Sequence, residues 1–259
     1  MTDDGELRGS CALVTGSTDG IGAAVARRLA RSGAAVVVTG RNVERGEAVV
    51  ETIVDDGGQA TFVGADLSGG KDEIDALVDA ASTDLGGPVD VLINNAAMVL
   101  GPTATDETDV DTFDLAFATS VRSAFLLAGR LAPAMAENGG GTIVNIGSFN
   151  GFRPTPQLAL YSATKAAMHS LTLSWADEYG PRGVRVNAIA PAATLTEKIR
   201  AIEDQLAPLV AQLPSQRASE VDEVAEAVLF LAGPRASNIH GAILPVDGGA
   251  SAIWGGRPT

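Results

Sequence analysis

The chain has 259 residues, with 30 Gly but only 7 Phe, 2 Trp and 2 Tyr, a mixture suited to helices packed on a sheet through small and β-branched side chains. Its formal net charge of -14 excludes binding to nucleic acid or an anionic membrane through a broad electrostatic field, although a local cationic pocket could still hold a phosphate. Cys11 is the only cysteine, which excludes an intrachain disulfide and a multi-cysteine metal site; it is expected as a buried strand residue. No composition shift marks a linker, so residues 1–259 are expected to form a single domain. The first six residues carry Asp3, Asp4 and Glu6 and lack the basic segment and apolar run of a signal peptide. No uninterrupted apolar stretch approaches the ~18 residues of a membrane span, and the expectation is a soluble cytoplasmic protein.

Short apolar runs at about 11–15, 35–39, 60–64, 89–93, 142–147, 184–190 and 242–246 alternate with longer stretches of helical periodicity such as 23–32, 43–55 and 74–85. This predicts an α/β fold, a doubly wound parallel sheet with helices on both faces. Gly33, Gly57 and Gly86 follow the three helical stretches as stop signals. Ligands of such sheets bind at the carboxyl ends of the strands, where strand order reverses. The informative residues fall at those ends.

After the first strand comes Thr15-Gly16-Ser17-Thr18-Asp19-Gly20-Ile21-Gly22, leading into a helix. Glycines permit the turn and a close backbone approach, and the helix N-terminus offers free N–H groups to a pyrophosphate. The second strand ends at Gly40-Arg41-Asn42, the third leads to Asp66-Leu67-Ser68, and the fourth to Asn94-Asn95-Ala96-Ala97. The fifth ends at Ile146-Gly147-Ser148, thirteen residues before Tyr161. Tyr161 and Lys165 lie four apart on a helix and so share a face. A phenol is a poor acid or base near neutrality, its reference pKa being ~10, and a fixed ammonium beside it favours the phenolate. Between the last two strands, 192–217 is a long insertion of helical character interrupted by Pro208 and Pro214, expected as a small lid over the substrate.

Taken together, from about residue 8 to 250, these blocks resemble the short-chain dehydrogenase/reductase family. Thr15 to Gly22 is similar to its TGxxxGIG cofactor turn and Asn94 to Ala97 to its NNAG element, while Ser148, Tyr161 and Lys165 match its catalytic residues. The stretch from Arg182 to Pro191 and the later Val246-Asp247-Gly248-Gly249 resemble further recurrent blocks. The resemblance implies a Rossmann-type fold and hydride transfer between a nicotinamide and a small carbonyl or secondary alcohol. Tyr161 would exchange the proton, Lys165 would bias the phenol and hold the nicotinamide ribose, and Ser148 would hold the substrate oxygen. It also implies cofactor contacts from Gly16, Ser17, Thr18, Asp19, Gly20, Ile21 and Gly22, from Asp66 and Leu67, from Asn95 and Ala96, and from Pro191 and Thr194. A homo-oligomer, tetramer or dimer, is implied as well.

The absence of an acidic residue at Gly40 and the presence of Arg41, whose planar fork suits a phosphate, lead to NADP(H) as the expected cofactor, with NAD(H) as the alternative. Asp66 has two readings, adenine contact or a cap on the turn at Leu67-Ser68. Three positions depart from the family pattern. Ser120 stands where an Asn usually helps hold a water that connects the lysine to solvent, and it is kept as a catalytic candidate because a hydroxyl can also relay a proton. Ala97 and Ala192 replace glycines. Met98, Val99, Leu100, the segment 149–154 with Arg153, and the insertion are the substrate-facing candidates, and their apolar bias suggests a nonpolar or ring-bearing substrate. His169 reads as a packed histidine, and with only His240 besides, no metal site is expected. Two further readings stand beside the enzyme: a dinucleotide-binding protein of low or no activity acting as a regulator or assembly partner, and an epimerase or dehydratase with retained cofactor.

Overall fold

The computed structural model describes residues 5–253, so Asp3 and Asp4 of the acidic N-terminal run lie outside the described residues. Seven strands form one parallel sheet: β1 (Cys11–Val14), β2 (Ala35–Gly40), β3 (Gln59–Gly64), β4 (Val91–Asn94), β5 (Gly141–Ile146), β6 (Val184–Pro191) and β7 (Ile243–Val246). The strand order is β3-β2-β1-β4-β5-β6-β7. The longer helices are α1 (Gly20–Arg31), α2 (Val43–Asp55), α3 (Lys71–Leu85), α4 (Val110–Phe117), α5 (Ser123–Glu137) and α6 (Ala159–Tyr179). After β6 come α7 (Glu197–Arg200), α8 (Glu203–Val210) and α9 (Val221–Ala232).

Successive residues of a strand point to opposite faces, and here both faces are covered, which is why the strands read as continuous apolar runs. Ala12, Val14, Val36 and Val38 pack with α1, α2 and α9 on one side. Leu13, Val37, Leu92 and Ile143 pack with α3, α5 and α6 on the other. Cys11 is half-buried rather than fully enclosed, because it opens the edge of its strand.

From β1 the chain winds outward through β2 and β3, then returns to lay β4 against the other side of β1. The order therefore reverses between β1 and β4, and a crevice opens at their carboxyl ends. Between α4 and α5 the helix widens into a single π-turn at Ala118–Arg122. The continuous helix Val110–Glu137 is long and apolar enough by composition to cross a membrane. In this fold α5 instead buries Leu127, Ala128, Leu131 and Met135 against the sheet. Pro208 does not interrupt the insertion as expected: it sits inside α8, where in a two-turn helix it removes only one backbone bond.

Candidate active site

The glycine turn is shaped by steric necessity. Gly16 adopts φ +61° and Gly20 φ +54°, and a Cβ on Gly22 would stand 2.3 Å from the Gly16 carbonyl oxygen and 2.5 Å from Asn95 Nδ2. The turn is tied to the exit of β4: Asn95 Nδ2 donates to the carbonyls of Thr15 (2.8 Å) and Gly16 (2.9 Å). The Thr15 hydroxyl accepts from the N–H groups of Asn95 (2.9 Å) and Ala96 (3.0 Å). Asp19 stands at the N-cap of α1 but makes no capping bond, which leaves the first-turn N–H groups available to an anion. Its carboxylate pairs instead with Arg45 of α2 (3.2 Å) and Lys198 of α7 (3.7 Å).

At the end of β2, a Cβ on Gly40 would lie 2.8 Å from Thr18 Cγ2, so a longer side chain there would have to displace Thr18. Arg41 is exposed beside it. Asp66 accepts from the hydroxyl (2.8 Å) and N–H (3.0 Å) of Ser68, so the turn-capping reading is the one its bonds show, while it also lines the crevice. These bonds, with the Arg41 charge, hold its carboxyl below the usual range.

At the other end, α6 is pinned to the sheet by a buried polar ladder: Asn94 Nδ2 donates to Asn145 Oδ1, and Asn145 Nδ2 to Thr172 Oγ1, each at 2.9 Å. This fixes Tyr161 and Lys165 against the end of β5. Ser148 is buried, its Oγ accepts from the Asn150 N–H at 3.1 Å, and its side chain is hydrogen-bonded to Tyr161. Burial raises the Tyr161 pKa, and the Ser148 bond offsets only part of that. Burial is therefore the larger influence on the phenol, opposed by the Ser148 bond. The Lys165 ammonium donates to the Ile146 carbonyl at 2.8 Å and lies 5.8 Å from the Tyr161 ring centroid. Burial lowers its own pKa to about 8.

One cleft of about 460 Å³ is lined by Gly16, Thr18, Asp19, Gly20, Ile21, Gly22, Arg41, Asp66, Leu67, Asn95, Ala96, Ser148, Tyr161, Lys165, Pro191 and Thr194. Two expected members are not among them. Ser17 is fully buried, its hydroxyl donating to the Val14 carbonyl (2.6 Å) and accepting from the Thr39 N–H (2.9 Å), so it seams β1 to β2. Ser120 lies buried in the π-turn, where its hydroxyl accepts from the Met98 N–H at 3.1 Å and Thr119 lines the cleft in its place. Ala97 and Ala192 also line the cleft, and neither has a positive φ, so the lost glycines cost no backbone strain. Thr196, Glu197, Lys198 and Ile199 line it too; the sequence pointed to the 192–217 insertion that holds them but to none of the four individually. The available signal was Thr196 as the N-cap of α7, its hydroxyl accepting from the Ile199 N–H.

A crevice at the switch point with an uncapped helix N-terminus at one end and a Ser–Tyr–Lys group at the other defines a dinucleotide-dependent oxidoreductase. The sequence profile of a family described as enoyl-(acyl carrier protein) reductase matches residues 16–251. Galactitol 2-dehydrogenase (L-tagatose-forming) of Cereibacter sphaeroides is 37% identical over 253 residues, covering 96% of this chain and 97% of that protein. A 7α-hydroxysteroid dehydrogenase structure, complexed with NADH and 7-oxo glycochenodeoxycholic acid, is 36% identical with a TM-score of 0.88, covering 95% of this chain and 96% of the other. An NAD(P)-dependent gluconate 5-dehydrogenase structure from Beutenbergia cavernae with bound NADP is 34% identical with a TM-score of 0.88, covering 95% and 98%. The chain belongs to the short-chain dehydrogenase/reductase family, whose members here are dehydrogenases and reductases acting on alcohol and carbonyl groups. It is a hydride-transferring oxidoreductase that uses NAD(P)(H). The residues fit that cofactor, since one cleft joins the uncapped N-terminus of α1, which can take a pyrophosphate, to Ser148, Tyr161 and Lys165.

Proposed function

We propose that the protein is an NADP(H)-preferring oxidoreductase of small, largely apolar carbonyls or secondary alcohols. The observation that carries the reading is the convergence of Ser148, Tyr161 and Lys165 in one cleft with the glycine turn and Arg41. The bound nicotinamide supplies or accepts the hydride. In reduction Tyr161 gives its hydroxyl proton to the substrate oxygen, and in oxidation it takes that proton back. The Asn150 N–H occupies one lone pair of Ser148 Oγ, and its O–H, which meets Tyr161 in the empty cleft, turns to the substrate oxygen when substrate enters beside Tyr161. Lys165, with a pKa near 8, exchanges a proton close to neutrality.

The cofactor preference is supported by Arg41 at the cleft wall and by the lack of an acidic side chain at Gly40, where Thr18 fills the space. Exposed Val99, Phe152 and Leu209, on three segments flanking the cleft, support an apolar substrate. The residues of 192–217 that line the cleft support that insertion as a lid on a single domain. Exposed Val110, Phe113, Phe125 and Leu173 on α4, α5 and α6 support a homo-oligomer, tetramer or dimer. Turnover of a panel of ring-bearing and aliphatic ketones, followed by nicotinamide absorbance with NADPH and with NADH, tests the reading. A higher kcat/KM with NADPH is expected. A clear preference for NADH overturns the cofactor assignment.

A further inference from the structure

His169 is a buried titratable group that the chemistry above does not use. Tyr161, Lys165 and His169 succeed one another at four-residue spacing on α6 and so form one stripe facing the end of β5. The sheet ladder ends there: Ile146 pairs with Ile189 of β6, and the Gly147 N–H makes a last bond to the Ile189 carbonyl at 2.8 Å. Beyond that point the backbone turns toward α6. Lys165 takes the Ile146 carbonyl, and His169 Nε2 accepts from the Ser148 N–H at 3.5 Å. The imidazole is enclosed by the same segment. Added Cβ atoms on Gly147 and Gly151 would fall 2.3 Å and 2.5 Å from its ring, and the Phe152 ring packs on it at 4.5 Å between centroids.

We infer that His169 is the positioning residue of Ser148, its neutral imidazole accepting the serine N–H and filling the groove under Gly147 and Gly151. Nε2 can accept only if the ring proton resides on Nδ1. Burial first, and the Lys165 charge second, lower the His169 pKa to about 4, so the acceptor tautomer holds at neutral pH. Among the described residues His169 Nδ1 is buried without a hydrogen-bond partner, so the contact at Nε2 is the ring's one hydrogen bond. With the acceptor removed, the Ser148 peptide has a buried N–H without a partner and turns to find one, carrying the serine hydroxyl with it.

The inference rests on Ser148 holding the substrate oxygen, so Ser148→Ala is measured in parallel. His169→Phe keeps a ring and removes the acceptor, whereas His169→Gln places an amide oxygen at the reach of Nε2. The expected result is a fall in kcat of about tenfold or more for His169→Phe, with the dissociation constant for NADP(H) unchanged, and recovery to within about threefold of wild type for His169→Gln. Should His169→Phe fail to fold, Gly151→Ala displaces the ring with its acceptor intact and is expected to lower kcat in the same way. Wild-type kcat in His169→Phe, or in Gly151→Ala where that variant stands in, overturns the inference provided Ser148→Ala is slow. A His169→Gln as slow as His169→Phe also overturns it. A fully active Ser148→Ala would instead sink the role given to Ser148.

Discussion

The two ends of the cleft are built on different principles. At the catalytic end Ser148, Lys165 and His169 are all buried, and each is held by a named backbone contact from β5 or the turn that follows it. At the adenosine end Arg41, Asp19, Arg45 and Lys198 are solvated, and the last three meet only in surface ion pairs. Burial makes each interaction at the first end expensive to disturb, and solvent screening makes each at the second cheap. On the proposed reading the chemistry is thereby fixed by geometry, while the choice of nucleotide rests on a few exchangeable charges.

The contrast can be broken most sharply at Tyr161. Tyr161→Phe is expected to lower kcat by about 10²- to 10⁴-fold while nucleotide binding, read by fluorescence titration, stays unchanged. Retained turnover would mean that the buried end does not carry the proton. The next effect concerns stability. Lys165 is protonated in the unfolded chain up to its ordinary value of 10.5 but in the folded protein only up to about 8. Unfolding therefore takes up a proton between these values, so the lysine's contribution is complete above 10.5 and is lost as pH falls to 8. Relative to Lys165→Met, the wild type should gain about 3 kcal/mol of stability as pH rises across that window, measured by urea unfolding. A pH-independent difference would mean that the ammonium is solvated.

Effects at the adenosine end should be smaller. Arg41→Ala is expected to raise the KM for NADP(H) by about 10- to 100-fold and to leave that for NAD(H) nearly unchanged, the span of a charge-assisted hydrogen bond. Equal losses with both nucleotides would assign Arg41 to packing. Asp19→Asn breaks two exposed ion pairs and should improve NADP(H) affinity by no more than about threefold, an effect that fades with added salt. A larger, salt-resistant change would show that this end is more rigid than its exposure indicates.

The seven strands were legible because strands buried on both faces leave continuous apolar runs, and the cradle because Gly16 and Gly22 tolerate no side chain. Ser17 and Ser120 fall outside the cleft lining for one reason: a sequence shows a hydroxyl but not its direction. Ser17 sits in a glycine turn yet points into the seam between β1 and β2. Ser120 lies in a π-turn, whose extra residue rotates the helix face so that Thr119 meets the cleft. The rise of the Tyr161 pKa was hidden too, since spacing reveals the neighbouring ammonium but not the burial of the phenol.

The bonds from Asn95 to Thr15 and Gly16 join residues about eighty positions apart. The phosphate cradle is consequently incomplete in any nascent chain that ends before β4. Competence to hold a dinucleotide is acquired only once the ribosome has released β4 and Asn95, and cofactor then stabilises the joint between the glycine turn and the exit of β4 by mass action.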